Sequence, residues 1–305
     1  MNEQYDLEQF AYISFSGGKD SVVLSKLIDI ALPNNRIPRV YFNTGIEYKM
    51  MVEFVKGLAE KDDRFIIIPS GVNIKKMLEE NGYPFKSKQH SHNLAIYWRN
   101  KDKSEYNLSL KRYLGIIESS TKFRCPTKLR YQFTKDFDLH CSDMCCYKLK
   151  KETAHKYEKT SGKTITLTGM RSAEGGKRAS IGCIVTDKEK NLKKFHPLLV
   201  VDDEWENQFI ECYNVELCKL YKAPYNFVRT GCVACSYALN LQEELNRLYQ
   251  YLPSEYWKAL KIWKPVYDEY IRIGYRLKYY PHERGIQMSL DDFLEVNKWN
   301  IKIET

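Results

Sequence analysis

The chain has 305 residues, of which 43% are hydrophobic and 29% charged, and its formal net charge is +9. It can bury a large core, as one large domain or as a domain with an appendage, and it lacks the run of about 18 apolar residues that a membrane-spanning helix needs. Because residues 1–9 are acidic and polar, unlike a signal peptide, we expect a cytoplasmic protein without membrane contact, whose basic surface favours anionic partners.

The motif S-G-G-K-D-S occupies residues 16–21, between a predicted strand, Ala11–Phe15, and a predicted helix, Val22–Ile30. Two adjacent glycines let backbone N–H groups converge on one point, and the helix dipole adds partial positive charge there. The side chains add two hydroxyls, a cation, and a carboxylate that can hold a metal ion or a ribose; they are Ser16, Ser21, Lys19 and Asp20. The motif therefore predicts a loop that binds phosphate or pyrophosphate, distinct from the G-x-x-x-x-G-K-S/T loop of γ-phosphate hydrolases.

Strand-like and helical runs alternate along much of the chain. The predicted strands are Ala11–Phe15, Val40–Phe42, Phe65–Ile68 and Thr164–Leu167, with an edge segment at Phe195–Val201. The predicted helices are Val22–Ile30, Lys49–Ala59, Ile74–Asn81 and Asp202–Tyr213, the last with Asp202 as its N-cap. This alternation predicts an α/β fold with a parallel sheet and right-handed crossovers, in which ligands bind beyond the carboxyl ends of the strands.

Two further segments interrupt or extend this pattern. Leu94–Ile117 resembles a polar helical hairpin, within an insertion at about residues 89–120, and aromatic residues recur at helical spacing from Leu239 onward. We therefore predict a nucleotide-binding and cysteine-containing domain at residues 1–236 and a C-terminal helical appendage at residues 237–305.

The S-G-G-K-D-S motif resembles the PP-loop of ATP pyrophosphatases, which cleave ATP between its α- and β-phosphates. The resemblance implies a Rossmann-like fold of the adenine nucleotide alpha hydrolase (HUP) type, with ATP and Mg²⁺ as cofactors. The turn that follows the second strand is similar to a "TG" turn beside the nucleotide in sulfonucleotide reductases of the same superfamily. The nucleotide contacts expected on this basis are Ser14, Ser16, Gly17, Gly18, Lys19, Asp20, Ser21, Asn43, Thr44, Gly45 and Gly169.

A second anion-binding loop is plausible at residues 168–179, where glycines and two arginines follow the resumed strand. Arginine suits a planar, bidentate contact with phosphate or sulfate. Sulfonucleotide reductases and their relatives have a similar segment facing the substrate, which implies that Arg171 and Arg178 clamp an anionic group near the α-phosphate. With Lys19 and Asp20 they form the predicted catalytic set. An exposed basic loop is the alternative interpretation.

The nine cysteines of a cytoplasmic chain favour metal binding or catalysis over disulfides. Four of them form an adjacent pair and a distant C-x-x-C: Cys145, Cys146, Cys232 and Cys235. Four thiolates suit an iron–sulfur cluster or a tetrahedral zinc, although adjacent cysteines are awkward for zinc-ribbon geometry. The pattern resembles the 4Fe–4S ligands of iron–sulfur adenylylsulfate reductases, in the phosphoadenosine phosphosulfate (PAPS) reductase family. Cys141 is the reserve ligand.

One departure from the reductases shapes the functional prediction. They carry a nucleophilic cysteine in a C-terminal segment, whereas here no cysteine follows Cys235, and Cys125 and Cys183 are the candidate substitutes for that thiol. Because that cysteine is missing, the chain resembles the iron–sulfur PP-loop proteins of DNA phosphorothioation and tRNA thiolation more than the reductases. That resemblance implies AMP- and pyrophosphate-forming adenylation of nucleic acid coupled to sulfur transfer, with a cysteine desulfurase or another sulfur donor as partner. The alternatives are a sulfonucleotide (APS or PAPS) reductase and a non-catalytic, ATP-binding iron–sulfur partner in a larger assembly.

Overall fold

The computed structural model describes residues 5–101, 106–118, 124–175, 178 and 180–284. The α-helices in these ranges are α1 Leu7–Phe10, α2 Lys19–Ala31, α3 Lys49–Lys61, α4 Ile74–Asn81, α5 Lys88–Arg99, α6 Leu108–Leu114, α7 Met144–Cys146, α8 Glu152–Ser161, α9 Asp203–Cys212, α10 Leu241–Tyr251 and α11 Pro253–Ile273. In the part of the chain so described, no helix combines the length and the apolar character needed to cross a bilayer.

Six strands form one mostly parallel sheet. They are β1 Ala11–Phe15, β2 Arg39–Asn43, β3 Phe65–Pro69, β4 Ile165–Leu167, β5 Ile184–Thr186 and β6 Leu192–Phe195. Their order is β3-β2-β1-β4-β6-β5, and only β5 runs antiparallel to its neighbour. β1 lies near the middle and pairs with β2 and β4, so the carboxyl ends of these three strands meet at one edge. The predicted parallel α/β fold is confirmed.

The core explains why β1 occupies a central position. Its residues Ala11 and Ile13 are fully buried, and they pack with Val23 and Leu24 of α2 and with Phe209 of α9. A strand buried on both faces reads as a continuous apolar run, because helices cover both sides of the sheet. The loop that leaves β1 is therefore held between buried elements.

The prediction of an edge segment at Phe195–Val201 was wrong. The strand in this region is β6, which ends at Phe195, and the true edge strand is β5, which the sequence pattern did not reveal. The hairpin between them turns at Asp187, whose side chain accepts hydrogen bonds from the backbone N–H groups of Glu189 and Asn191. β6 cannot extend far beyond Phe195, because Pro197 lacks the N–H group that a ladder requires.

The chain divides into two compact units, each made from two separate segments. One comprises residues up to Gly71 together with Leu149–Cys232, and it contains the whole sheet. The other comprises Val72–Lys148 and the residues from Val233 onward. These boundaries differ from the predicted one between residues 236 and 237.

Contacts inside the second unit explain this division. Trp263 of α11 donates a hydrogen bond of 2.9 Å to the carbonyl of Val233, and Tyr270 donates one of 2.9 Å to the carbonyl of Ser236. The ring of Tyr270 also packs on Phe85, with centroids 4.5 Å apart. The predicted insertion, observed as α5 and α6, and the C-terminal helices α10 and α11 thus belong to the same unit. Of the predicted appendage, residues 285–305 lie outside the described residues.

Candidate nucleotide-binding site

The S-G-G-K-D-S loop connects β1 to α2 and is held by its own hydroxyls. The Ser21 hydroxyl donates to the Gly18 carbonyl at 2.8 Å and accepts from the Ser16 backbone N–H at 3.2 Å. Gly18 is the N-cap of α2, and the first turn of the helix contains Asp20. A helix N-terminus attracts anions, and phosphate binding by this loop stays the prediction made from the sequence.

Gly17 is required by two independent constraints. Its φ angle is +72°, and a Cβ atom at this position would lie 2.3 Å from Sδ of Met51. Positive φ is costly for residues with a side chain, and Met51 is buried in the core-facing side of α3.

We expect Gly17→Ala to lower the free energy of unfolding by about 2 kcal/mol or more, because strain at φ is added to the overlap with Met51. Gly57→Ala is the matched control, since a Cβ added at Gly57 in α3 would meet no atom within 4 Å. That control should gain about 0.5–1 kcal/mol from improved helix propensity. Urea unfolding of both variants checks this expectation, and equal effects at the two glycines would contradict it.

A cavity of about 430 Å³ opens beside the loop, within the first unit. Gly169, which follows β4, permits the close approach of the end of β4 to the first turn of α2, because a Cβ there would lie 2.6 Å from the carbonyl oxygen of Asp20. Predicted site residues that line this cavity are Ser14, Ser16, Gly18, Lys19, Asp20, Ser21, Gly169 and Arg178. Thr168 and Met170 of the predicted second anion-binding loop also line it, together with four residues that the sequence analysis did not select: Tyr221, Val228, Arg229 and Thr230.

The turn after β2 has a different environment from the S-G-G-K-D-S loop (the phosphate loop, residues 16–21). Both the backbone N–H and the hydroxyl of Thr44 donate to the carboxylate of Glu47, at 3.0 and 2.7 Å. Gly45 donates to the Asn43 side chain at 2.9 Å. Asn43, Thr44 and Gly45 do not line the described cavity. The predicted nucleotide contacts of this turn therefore stay a prediction.

Arg171 lies in a network of three carboxylates. Its Nε atom is 2.7 Å from Oδ1 of Asp20, and its Nη2 atom is 2.7 Å from Asp203 and 3.2 Å from Glu206. Lys19 is part of the same network, with its Nζ atom 2.6 Å from Oε2 of Glu206. Arg171 is buried and does not line the cavity but contacts the cavity-lining Asp20, so its predicted contact with an anionic group stays a prediction.

Glu206 is the member of this network that the sequence analysis missed. It is fully buried, at a position of α9 three residues before the buried Phe209. A charged residue at a core-facing helical position is the signal that could have revealed it, because such a residue stays buried only when it is paired. Burial raises the pKa of Glu206 from 4.5 to about 7, against the opposing effect of Lys19 and with a further contribution from Asp20.

This shift predicts how stability depends on pH. A raised carboxyl pKa means that the folded state binds more protons than the unfolded state between about pH 4.5 and about pH 7. The contribution of Glu206 to stability should therefore fall as the pH rises through that window and stay constant above it. Glu206→Gln should remove this contribution, so its stability relative to wild type should increase with pH up to about 7. Chemical unfolding across the window measures this difference, and a pH-independent difference would contradict the assignment.

Tyr221 and Thr230 also contact the loop. The Tyr221 hydroxyl accepts a hydrogen bond of 3.1 Å from the backbone N–H of Lys19 and lies 2.6 Å from the Thr230 hydroxyl. Tyr221 is the last residue of a short 3-10 helix and Thr230 lies in a loop; both are far from residues 16–21 in sequence, and no local pattern marks them. The hydroxyl of Tyr221 occupies a position where a phosphate oxygen could accept the same N–H group.

The predicted metal ligands are divided between the two units. Cys145, Cys146 and Cys235 belong to the second unit, and Cys232 is the last residue of the first. Within the second unit, burial raises the pKa of Tyr237, and Cys146 and Cys235 raise it further, so both thiols lie near the Tyr237 hydroxyl.

The chemistry of this donor set suits an iron–sulfur cluster, because its members are thiols outside any disulfide. Over the described ranges, however, no group of three or more His, Cys, Asp or Glu side chains is arranged to hold a metal ion. Cys141, the reserve ligand, is fully buried and forms an isolated bridge with Tyr83, and burial raises the pKa of its thiol.

The sheet and the loop define the class: an α/β protein with a glycine-rich S-G-G-K-D-S loop between its central strand and the following helix. The chain belongs to the family described as the phosphoadenosine phosphosulfate reductase domain, which matches residues 11–95 and 85–238. The resemblance expected from the sequence is thus confirmed. Membership supports an enzyme of the PP-loop superfamily and sulfur-related nucleotide chemistry.

Individual relatives are more distant. An uncharacterised protein of Methanocaldococcus jannaschii is 30% identical over 128 residues, which are 41% of this chain and 29% of that protein. The chain therefore spans less than a third of the length of this curated relative. A PAPS reductase from Candida auris, solved as a phosphate complex, is 14% identical with a TM-score of 0.38, over 69% of this chain and 75% of the other. The tRNA thiolase NcsA from Methanococcus maripaludis, solved with its 4Fe–4S cluster, is 14% identical with a TM-score of 0.37, over 86% and 73%.

Proposed function

We propose that this protein adenylates a substrate with ATP, releasing AMP and pyrophosphate, and that the activation is coupled to sulfur transfer on nucleic acid. The observation that carries the proposal is the cavity wall, where the phosphate loop, Lys19, Asp20 and Arg178 meet. The cavity volume of about 430 Å³ lies in the range of small-molecule sites. Family membership supports sulfur-related chemistry but does not choose among reactions.

In this proposal the phosphate loop, Asp20 and Arg178 have separate roles in cleaving ATP between the α- and β-phosphates. The loop N–H groups and Lys19 bind the pyrophosphate part and neutralise the charge that develops on it as it leaves. Asp20, oriented by Arg171, binds the magnesium ion or the ribose, and Arg178 faces the α-phosphate. An oxygen of the acceptor attacks the α-phosphorus, the bond to the bridging oxygen breaks, and pyrophosphate leaves with the electron pair. A sulfur nucleophile then attacks the activated carbon or phosphorus, and AMP leaves.

The composition of the cavity wall favours this reaction over sulfonucleotide reduction. A reductase needs a thiol that reaches the sulfur of its substrate, and none of the described residues lining the cavity is a cysteine. Cys125, a candidate elsewhere, is buried in the second unit, and burial raises the pKa of its thiol to about 11. A thiol with a high pKa is a poor source of thiolate at neutral pH.

The predicted cysteine set would hold the cluster, which supplies sulfur-transfer or electron-transfer chemistry when it is bound. Nucleic acid as acceptor and a cysteine desulfurase as sulfur donor complete the proposal. The net charge of +9 is consistent with a polyanionic substrate.

Product analysis with labelled ATP tests the proposed function. AMP and pyrophosphate, formed in the presence of a nucleic-acid acceptor and a sulfide donor, are the expected products. Sulfite released from a sulfonucleotide by a thiol reductant would instead identify a reductase. ATP binding without turnover under all these conditions would identify a non-catalytic partner.

Arg171→Lys should lower turnover by roughly ten- to a thousandfold with a smaller change in ATP affinity, because lysine keeps the charge but cannot hold Asp20 and Glu206 with separate N–H groups. Arg36→Lys is the matched control, since Arg36 forms an exposed ion pair with Asp63 at 2.7 Å. Steady-state kinetics of both variants decide the point. Equal losses of affinity and turnover in Arg171→Lys would make Arg171 a ground-state binder instead.

A further inference from the structure

The lysine of the phosphate loop is already paired in this structure. Lys19 contacts Glu206 at 2.6 Å, and the neighbouring Arg171 contacts Asp20, Asp203 and Glu206. Two cations thus face three carboxylates, which leaves one excess negative charge when all five groups are ionised. Phosphates entering the cavity would meet a lysine that another anion holds.

We propose that Glu206 competes with the phosphates of the nucleotide for Lys19, so that binding exchanges a Lys19–Glu206 ion pair for a Lys19–phosphate ion pair. The inference rests on the proposed function, since it assigns a residue that controls the affinity of the same site. Glu206 itself lies outside the cavity lining, behind Lys19, and needs no contact with the nucleotide.

The burial of Glu206 gives this competition its strength. Both carboxylate oxygens are buried, and neither makes a hydrogen bond of standard geometry in the described structure. The ion pairs with Lys19 and Arg171 therefore carry the stabilisation of this carboxylate. A buried charge that loses one of its partners is strongly destabilised. When Lys19 moves toward a phosphate, the Glu206 carboxylate loses one of its two partners. The free energy of that loss lowers the affinity for the nucleotide.

The backbone of the loop also has a donor that is bound within the protein. The backbone N–H of Lys19 is bound by the Tyr221 hydroxyl, which in turn is bound to Thr230. Arg178 and Arg229 are further cations of the cavity wall. Arg171 lowers the pKa of the Asp203 carboxyl, and Arg229 lowers it further. Two donors that the sequence predicts for phosphate, the ammonium group and the backbone N–H of Lys19, are thus bound by the protein's own groups.

Binding of ATP and of inorganic pyrophosphate, each with magnesium, tests the inference by calorimetry. Glu206→Gln keeps the shape and removes the charge, so we expect affinity for both probes to rise about tenfold or more. Glu204→Gln is the matched control, because it removes an exposed carboxylate from the same helix and should change affinity by less than about twofold. In turnover, Glu206→Gln should lower the KM for ATP without raising kcat. Unchanged or weaker binding of pyrophosphate would overturn the inference.

Asp203→Asn provides a second test if Glu206→Gln does not fold. The Asp203 side chain is 75% exposed and contacts Arg171, so the variant removes a charge of the network without disturbing the core. Affinity for pyrophosphate should rise about two- to fivefold, and a fall would contradict the inference. Pyrophosphate affinities that change as expected, with no AMP formed by wild type, would support the inference and reject the proposed function. No binding of either probe to wild type or variants would reject both.

Discussion

Replacing Lys19 by alanine should reduce ATP turnover by about a hundredfold or more, because this removes the cation that we propose neutralises the leaving pyrophosphate. The fold should persist, since Lys19 lies at the helix N-terminus and is partly exposed. Its partner Glu206 would then depend on Arg171 alone. We therefore expect thermal stability near that of wild type in mild acid, where Glu206 is protonated, and a lower value in mild base.

The matched control is Lys26→Ala, which removes an exposed lysine from the same helix. It should leave both turnover and the pH dependence of stability unchanged. Quenched-flow assays of AMP formation and thermal unfolding at two pH values measure both quantities. Turnover near the wild-type level in Lys19→Ala would reject the assignment of the phosphate loop.

Replacing Cys235 by serine should abolish iron loading in protein purified without oxygen. A serine hydroxyl is a poor substitute for a thiolate, and the loss of one ligand weakens the whole site because metal binding and local folding are coupled. The substitution falls beside Tyr237, a partly buried residue whose pKa burial raises and Cys146 and Cys235 raise further. Iron analysis and visible absorption of anaerobic protein are the measurements.

Cys212→Ser is the control for this variant, because Cys212 is exposed at the end of α9. It should keep the full iron content and the brown colour of wild type. Colourless wild-type protein that contains one equivalent of zinc would replace the cluster with a zinc site. Equal iron loss in both variants would mean that the predicted ligand set is wrong.

The phosphate loop was predictable because its determinants are local. Adjacent glycines, a flanking apolar strand and an amphipathic helix lie within one short segment, and the observed β1 has the predicted bounds. Asp202, the predicted N-cap of α9, does accept a hydrogen bond from the backbone N–H of Trp205 at 2.8 Å. Such features depend on neighbouring residues and elementary backbone geometry.

The rest of the site depends on tertiary contacts that a sequence pattern does not encode. Glu206, Tyr221 and Thr230 reach the loop from distant segments, and their side chains have no spacing that links them to Lys19. The strand β5 is short and mostly exposed, so it lacks the apolar run that marks the central strands. The two units differ from the predicted domains for the same reason, because the hydrogen bonds that Trp263 and Tyr270 donate to the carbonyls of Val233 and Ser236 join segments about 30 residues apart.

The two discontinuous units constrain how the protein can be made. During synthesis on the ribosome, the first unit, which contains the sheet, is incomplete until Cys232 has emerged. The second unit, the helical unit, is incomplete until α11 has emerged. Neither unit corresponds to a continuous gene fragment, so a polypeptide that stops at residue 236 would leave Phe85 without the ring of Tyr270, in α11, that packs on it. We expect such a fragment to require chaperones or to aggregate, whereas joining residues 72–148 directly to 233–284 with a short linker offers a way to produce the helical unit alone.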